Sequence, residues 1–275
     1  METIRSILLN DKDKKEILSI DLSKSHMSKN FTLTKEEILS TKSMIKPYIK
    51  VGYSLQLLFI KNLGRPIPID YKEIPIEILE FIGEQLNITN VNIEKYFTTE
   101  ITRKRNFQHL VEILGYSKFI ITDEITNIAK ILSMNISSKK QLVLEFLDRL
   151  KELKIIAPAL ATVEEFLYQI MQDTNSNIYK DIVFQIPDKI KLDTLLIPDD
   201  KGISPFSHIK NIEINSTAKG LKTLLKHIKF INDFNCPCNL DFLSPEKLRF
   251  FSDEINKSNR FRIQRFSDEN KRYSY

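Results

Sequence analysis

Between residues 100 and 116 the chain reads Glu-Ile-Thr-Arg-Lys-Arg-Asn-Phe-Gln-His-Leu-Val-Glu-Ile-Leu-Gly-Tyr. Three adjacent cations, Arg103, Lys104 and Arg105, stand beside Thr102, where the pattern predicts a helix to start. Asn106, Gln108 and His109 follow within the first turns, while Phe107, Leu110, Val111 and Leu114 carry an apolar face to Gly115. A helix N-terminus gathers unpaired N–H groups and partial positive charge, which favour phosphate. Cations and amides beside it add anchors for a phosphate backbone and groups able to read base edges. A basic first turn is also the ordinary solvated end of a helix, and spacing alone leaves both readings open. The same holds for His109, which precedes an apolar pair and fits a packed histidine as well as a contact residue.

Two further clusters share this chemistry. Lys46, Tyr48 and Lys50 flank the start of the next apolar segment, where they are either a solvated helix face or a track for phosphates. In the last stretch Arg260, Arg262 and Arg265 alternate with Phe261, Ile263 and Phe266. Interleaved aromatic and basic residues suit a nucleic-acid surface, and equally suit a helix that packs its rings under arginine stems. Other chemistries are poorly served. Cys236-Pro-Cys238 lacks the second ligand pair of a structural zinc site. The acidic pairs Glu36-Glu37, Glu164-Glu165 and Asp199-Asp200 fall at helix starts or in loops and form no two-metal site. No Gly-rich phosphate loop or nucleophile elbow occurs. The expectation is therefore no catalytic residue, no metal, no cofactor and no small-molecule substrate.

The elements that would position these residues read as helices. The 275 residues hold 42% hydrophobic and 28% charged side chains with only six glycines, the balance of a globular chain with few tight turns. The fold class expected is all-α: multi-helical, with helix-turn-helix-like submodules and no substantial sheet. The formal charge is +5, and residues 211–275 contribute 12 Lys/Arg against 8 Asp/Glu. That bias is compatible with an anionic partner without requiring one. There is no secretory signal pattern and no apolar run of spanning length, and two cysteines make no disulfide framework, so a cytoplasmic setting without membrane contact is expected.

Along the chain, Thr34 and Glu37 spell a capping box for a helix running to Met44 or Ile45, before Pro47. Tyr48–Leu63 is the next helix, stopped by Gly64, and Ile76–Leu86 another, closed by Asn87. Further helices are expected from Thr122 or Asp123 to Met134, from Lys139 to Leu153 and from Thr162 to Met171, and another between Pro187 and Pro198. The clearest amphipathic stretch is 217–234, with Leu221, Leu224, Leu225, Ile228 and Ile231 facing away from Lys222, Lys226 and Lys229. Ser244-Pro245 restarts a helix through Phe251. The organisation expected is an N-terminal segment 1–30, a first helical domain 31–116, a second at 117–197, a loop or linker at 198–217, and a helical segment 218–275 leading toward a C-terminal part absent from this sequence.

Several pieces occur in an order shared with one family: Phe31-Thr-Leu-Thr, then Val51-Gly-Tyr-Ser-Leu-Gln-Leu-Leu-Phe-Ile60, Leu63-Gly-Arg65, Tyr96, Arg103 and His109-Leu-Val-Glu112 before Leu114-Gly-Tyr116. Leu153-Lys-Ile-Ile-Ala-Pro-Ala159 and Arg260-Phe-Arg-Ile-Gln-Arg-Phe266 follow. In this the chain closely resembles the N-terminal part of Tn-three family transposases, the large enzymes of replicative transposons. The resemblance implies a bacterial, non-catalytic helical region that recognises terminal inverted repeats in double-stranded DNA during transposition. The phosphodiester chemistry of the family belongs to a separate C-terminal domain related to RNase H. Onto that implication fall Arg103, Lys104, Arg105, Asn106, Gln108, His109, Lys46, Tyr48, Lys50, Arg260, Arg262 and Arg265 as DNA contacts. Two other readings stay open: a helical assembly region through which protomers self-associate, and a truncated DNA-binding repressor of transposition.

Overall fold

The structure is a computed structural model and describes residues 8–89, 92–185, 193–210, 217–234 and 239–258. It is essentially all-α, as the composition predicts; the β structure among the described residues is one parallel pair of two-residue strands, β1 (Ser117–Lys118) and β2 (Ile155–Ile156). By contacts the chain divides into two compact units, the first made of residues 1–129 and 138–168, the second of 130–137 and 169–275.

Unit 1 is built around one helix. In chain order it carries α1 (Asp11–Leu18), α2 (Lys24–Phe31), α3 (Lys35–Ser40), α4 (Pro47–Leu63), α5 (Ile76–Gln85), α6 (Glu94–Thr98) and α7 (Glu100–Leu114). α4 has Pro47 in its first turn and ends on Gly64, whose left-handed φ of 64° a side chain would oppose. Arg65 N–H returns to Phe59 O to close the cap. Ten consecutive residues of α4, Val51 to Ile60, are buried. A helix apolar on every side has no solvent face and must be covered all round; α2, α5, α6 and α7 supply that cover. Phe31 meets Phe59 edge to face at 6.1 Å, and Ile156 of β2 belongs to the same core.

The capping box forms as spelled: Glu37 N–H donates to Thr34 Oγ1 (3.2 Å) and Thr34 N–H to Glu37 Oε2 (2.8 Å). Burial disfavours the Glu37 carboxylate, but Lys61 at 2.7 Å and Thr34 outweigh it and hold the carboxyl below its ordinary range. The helix stops at Ser40 rather than Met44, because Thr41 turns inward and its hydroxyl bonds Ile38 O. The first residues are strapped across the unit. Buried Glu164 accepts the Leu9 N–H at 3.1 Å and pairs with Lys14 at 3.0 Å, and Arg65 donates to Leu18 O at 3.0 Å. Glu164→Ala strands the Leu9 N–H, at a cost of about 1–3 kcal/mol. Limited proteolysis should then cut within residues 8–18 faster than in the parent; equal rates would show that the strap does not depend on this carboxylate.

Beyond α7, α8 (Asp123–Asn135) and α9 (Lys139–Glu152) follow the expected boundaries closely. α10 does not: it runs from Leu160 to Gln185, well past Met171. No Gly or Pro lies between its ends, and Thr174 and Ile178 continue its buried side through the polar run Gln172–Asn177. In unit 2, the stretch 198–217 includes α11 (Pro205–Lys210), whose Phe206 is buried with Leu195 and Leu196. α12 (Ala218–Phe234) and α13 (Pro245–Lys257) follow, α13 extending beyond Phe251. A polar clamp joins α13 to residues 133–137: Ser244 Oγ donates to Asn135 O (3.0 Å), Ser137 N–H to Glu246 Oε1 (2.8 Å), and Lys247 Nζ to Ser133 O (2.9 Å). Lys247 is 1% exposed and lies 5.6 Å from the ring centroids of both Phe250 and Phe251.

Candidate nucleic-acid interface

α7 begins at Glu100, with Thr99 as its cap residue, two residues earlier than the basic cluster suggested. Arg103, Lys104 and Arg105 therefore stand in the second turn, and the Arg103 N–H is already bonded to Thr99 O at 3.0 Å. The cluster cannot draw on the free N–H groups of the helix start; its capacity for phosphate rests on side chains alone.

What fixes α7 is a polar network inside unit 1. The Tyr96 ring of α6 lies flat against Gly52 of α4, where a Cβ would come within 2.3 Å of Tyr96 Cγ. Tyr96 Oη donates to Gln56 Oε1 (2.8 Å) and accepts from Asn106 Nδ2 (3.1 Å), and Gln56 Nε2 donates to Arg103 O (3.2 Å). Three helices are thus joined through one buried hydroxyl, whose pKa burial pushes up to about 12. Buried polar groups that are mutually satisfied specify one arrangement, because any slip leaves them unpaired.

With α7 held this way, the predicted residues separate. Asn106 is buried and spent on Tyr96, so it orients the helix and does not reach solvent. Arg103 is half-buried, its guanidinium 5.3 Å from the centroid of Phe97. Lys104, Arg105, Gln108 and His109 are exposed, on adjoining positions of two successive turns. Lys104 pairs with Glu100 at 2.6 Å, an exposed contact that a competing phosphate can replace. Ile101 and Glu112 share this face, so it is mixed rather than uniformly basic.

Lys46, Tyr48 and Lys50 sit at the other element, the start of α4. Lys46 is exposed with its ammonium 5.8 Å from the Tyr48 ring, and Lys50 is half-buried. Lys46, Lys50 and Tyr53 fall at i, i+4 and i+7, one side of the helix. Tyr53 Oη meets His109 Nδ1 at 3.5 Å. The stripe on α4 therefore leads to His109, and Arg105 lies one turn beyond it on α7. Arg260, Arg262 and Arg265, like Cys236 and Cys238, lie outside the described residues. Among the described residues no group of three or more His, Cys, Asp or Glu could hold a metal ion, and no helix is long and apolar enough to cross a membrane.

A family model described as a domain of unknown function, DUF4158, matches residues 8–170, over half of the chain. The chain belongs to that family. The matched DUF4158 region contains the whole α4–α6–α7 arrangement and its stripe. The chain is also similar to the transposase for transposon Tn501 of Pseudomonas aeruginosa, at 20% identity over 235 residues. That alignment takes in 84% of this chain and 23% of the transposase, so the DUF4158 protein spans about a quarter of its relative's length. The Tyr96–Gln56–Asn106 network was missed by sequence reasoning, although its signals are present: an isolated Gly and a Gln inside the otherwise apolar run of α4.

Proposed function

We propose that this chain binds double-stranded DNA at the terminal inverted repeats of a transposon, as a non-catalytic part of a transposase, in the bacterial cytoplasm. The similarity to the Tn501 transposase across 84% of the chain carries the reading. The rigidly mounted row Lys46, Lys50, His109 and Arg105 supplies a surface for it. Lys46, Lys50, Lys104 and Arg105 are assigned to phosphates, Arg103 to a phosphate at the edge of Phe97, and Gln108 and His109 to base edges. Asn106 is assigned to positioning, since its amide is taken. Strand transfer, in this reading, belongs elsewhere in such a transposase.

The test is titration of the full chain against a duplex carrying the element's own terminal repeat and against a scrambled duplex, across a salt series. Arg105→Ala should weaken both complexes and reduce the log–log salt slope by about 0.9 per lost phosphate contact. Gln108→Ala should narrow the preference for the repeat by about tenfold with little change in slope, the signature of base readout. Equal, weak binding to the two duplexes at moderate salt would overturn the proposal.

A further inference from the structure

α12 in unit 2 has no buried residue, although it is the most strongly amphipathic of the described helices. Leu221, Leu225 and Ile228 are 58%, 58% and 45% exposed and form one strip at i, i+4 and i+7. Lys222 and Lys229 lie three residues before and four after Leu225, with Lys226 between them, so a row of ammonium groups borders that strip along one side. None of these lysines forms an ion pair among the described residues. The opposite side of the helix is engaged in its own unit, through Phe234 in the small core and a ring contact of His227 with His208 at 6.2 Å.

We infer that this face docks an acidic amphipathic helix of a protein partner, one whose Leu/Ile strip is flanked by Asp or Glu. Charge decides among the occupants. A second copy would set lysine row and apolar strip against their like, and α12 has only Asp233 to balance Lys219, Lys222, Lys226 and Lys229. Like charges across a helical pair disfavour it, whereas opposite charges beside an apolar seam select it. Duplex DNA would satisfy the lysines but leave Leu221, Leu225 and Ile228 against a polar backbone with no apolar cover. An apolar strip with carboxylates beside it answers both features. The inference does not rest on the DNA reading.

The experiment uses the full chain and three labelled synthetic helices of about three heptads each. One carries Leu at the seam flanked by Glu, one the same Leu flanked by Lys, and one the Glu flanks with Ser replacing Leu. Anisotropy titration should show the Leu/Glu peptide binding at least about tenfold tighter than either control. Lys222→Glu/Lys226→Glu/Lys229→Glu should invert the preference toward the Leu/Lys peptide. Leu221→Ser/Leu225→Ser/Ile228→Ser should abolish binding of both with the far-ultraviolet dichroism unchanged. Absence of binding to every peptide, or binding indifferent to the lysine reversal, overturns the inference. So does a dimer in sedimentation that the serine variant dissolves, because the occupant is then a second copy.

Discussion

Gly52→Ala lowers the melting temperature of unit 1 by about 6 °C, a destabilisation of roughly 2 kcal/mol after the helix-propensity gain of about 1 kcal/mol is set against it. The added methyl would stand 2.3, 2.4 and 2.6 Å from Cγ, Cδ1 and Cδ2 of Tyr96, the base of the ring rather than its free end. Tyr96 is fully buried and its hydroxyl is held by Gln56 and Asn106, so it cannot step aside without breaking both bonds. In an exposed helix the same substitution would stabilise, which makes the sign of the effect diagnostic. Combining it with Tyr96→Leu, which removes the hydroxyl anchor and the flat ring face, should shrink the added cost of the alanine. Additive losses in that double-mutant cycle, or a melting temperature unchanged by Gly52→Ala, would show that the contact is not what sets α4 against α6.

The second large effect is alkaline. Burial lowers the Lys247 pKa from 10.5 to about 8, with Glu246 opposing the shift. The unfolded chain therefore binds a proton that the folded chain releases, and stability rises with pH between those two values. It is fully gained above the ordinary lysine value and lost as the pH falls through about 8. The expected gain is about 3 kcal/mol. Lys247→Met keeps the stem packed against Phe250 and Phe251 and removes the titrating group. Urea unfolding of both proteins from neutral pH to the ordinary lysine range should give stability curves that diverge by that amount, the variant's being the flatter. Parallel curves would mean that Lys247 titrates as an exposed lysine.

The helical class was legible because its signals are local. Thr34 with Glu37, Gly64 after Leu63, and Ser244 before Pro245 mark boundaries that the structure reproduces. Errors fell where a tertiary contact overrode a local cue. Thr41 was invisible as a stop because its burial depends on what packs above it. Nothing local in the polar run Gln172–Asn177 shows that Thr174 and the following Ile178 are buried. The candidate site divides the same way. Spacing placed Lys104, Arg105, Gln108 and His109 on one helix and they share an exposed face, whereas Asn106 looked identical in sequence and is interior. Its fate is decided by Tyr96 and Gln56, ten and fifty residues away in the chain, a distance over which no periodicity carries information.

The ten buried residues of α4 also set how small a piece of unit 1 can stand by itself. Cover comes from Met27 and Phe31 on one side of the sequence and reaches as far as Ile156, and the Gly64 carbonyl that ends α4 accepts its bond from Ala157 N–H at 2.9 Å. A fragment that stopped at Tyr116, after the last of the contact candidates on α7, would uncover that apolar helix along its C-terminal end. The exposed face of α7 proposed for DNA and the residues that keep it folded are therefore inseparable by such a truncation: the helix is held in place together with a segment some forty residues downstream.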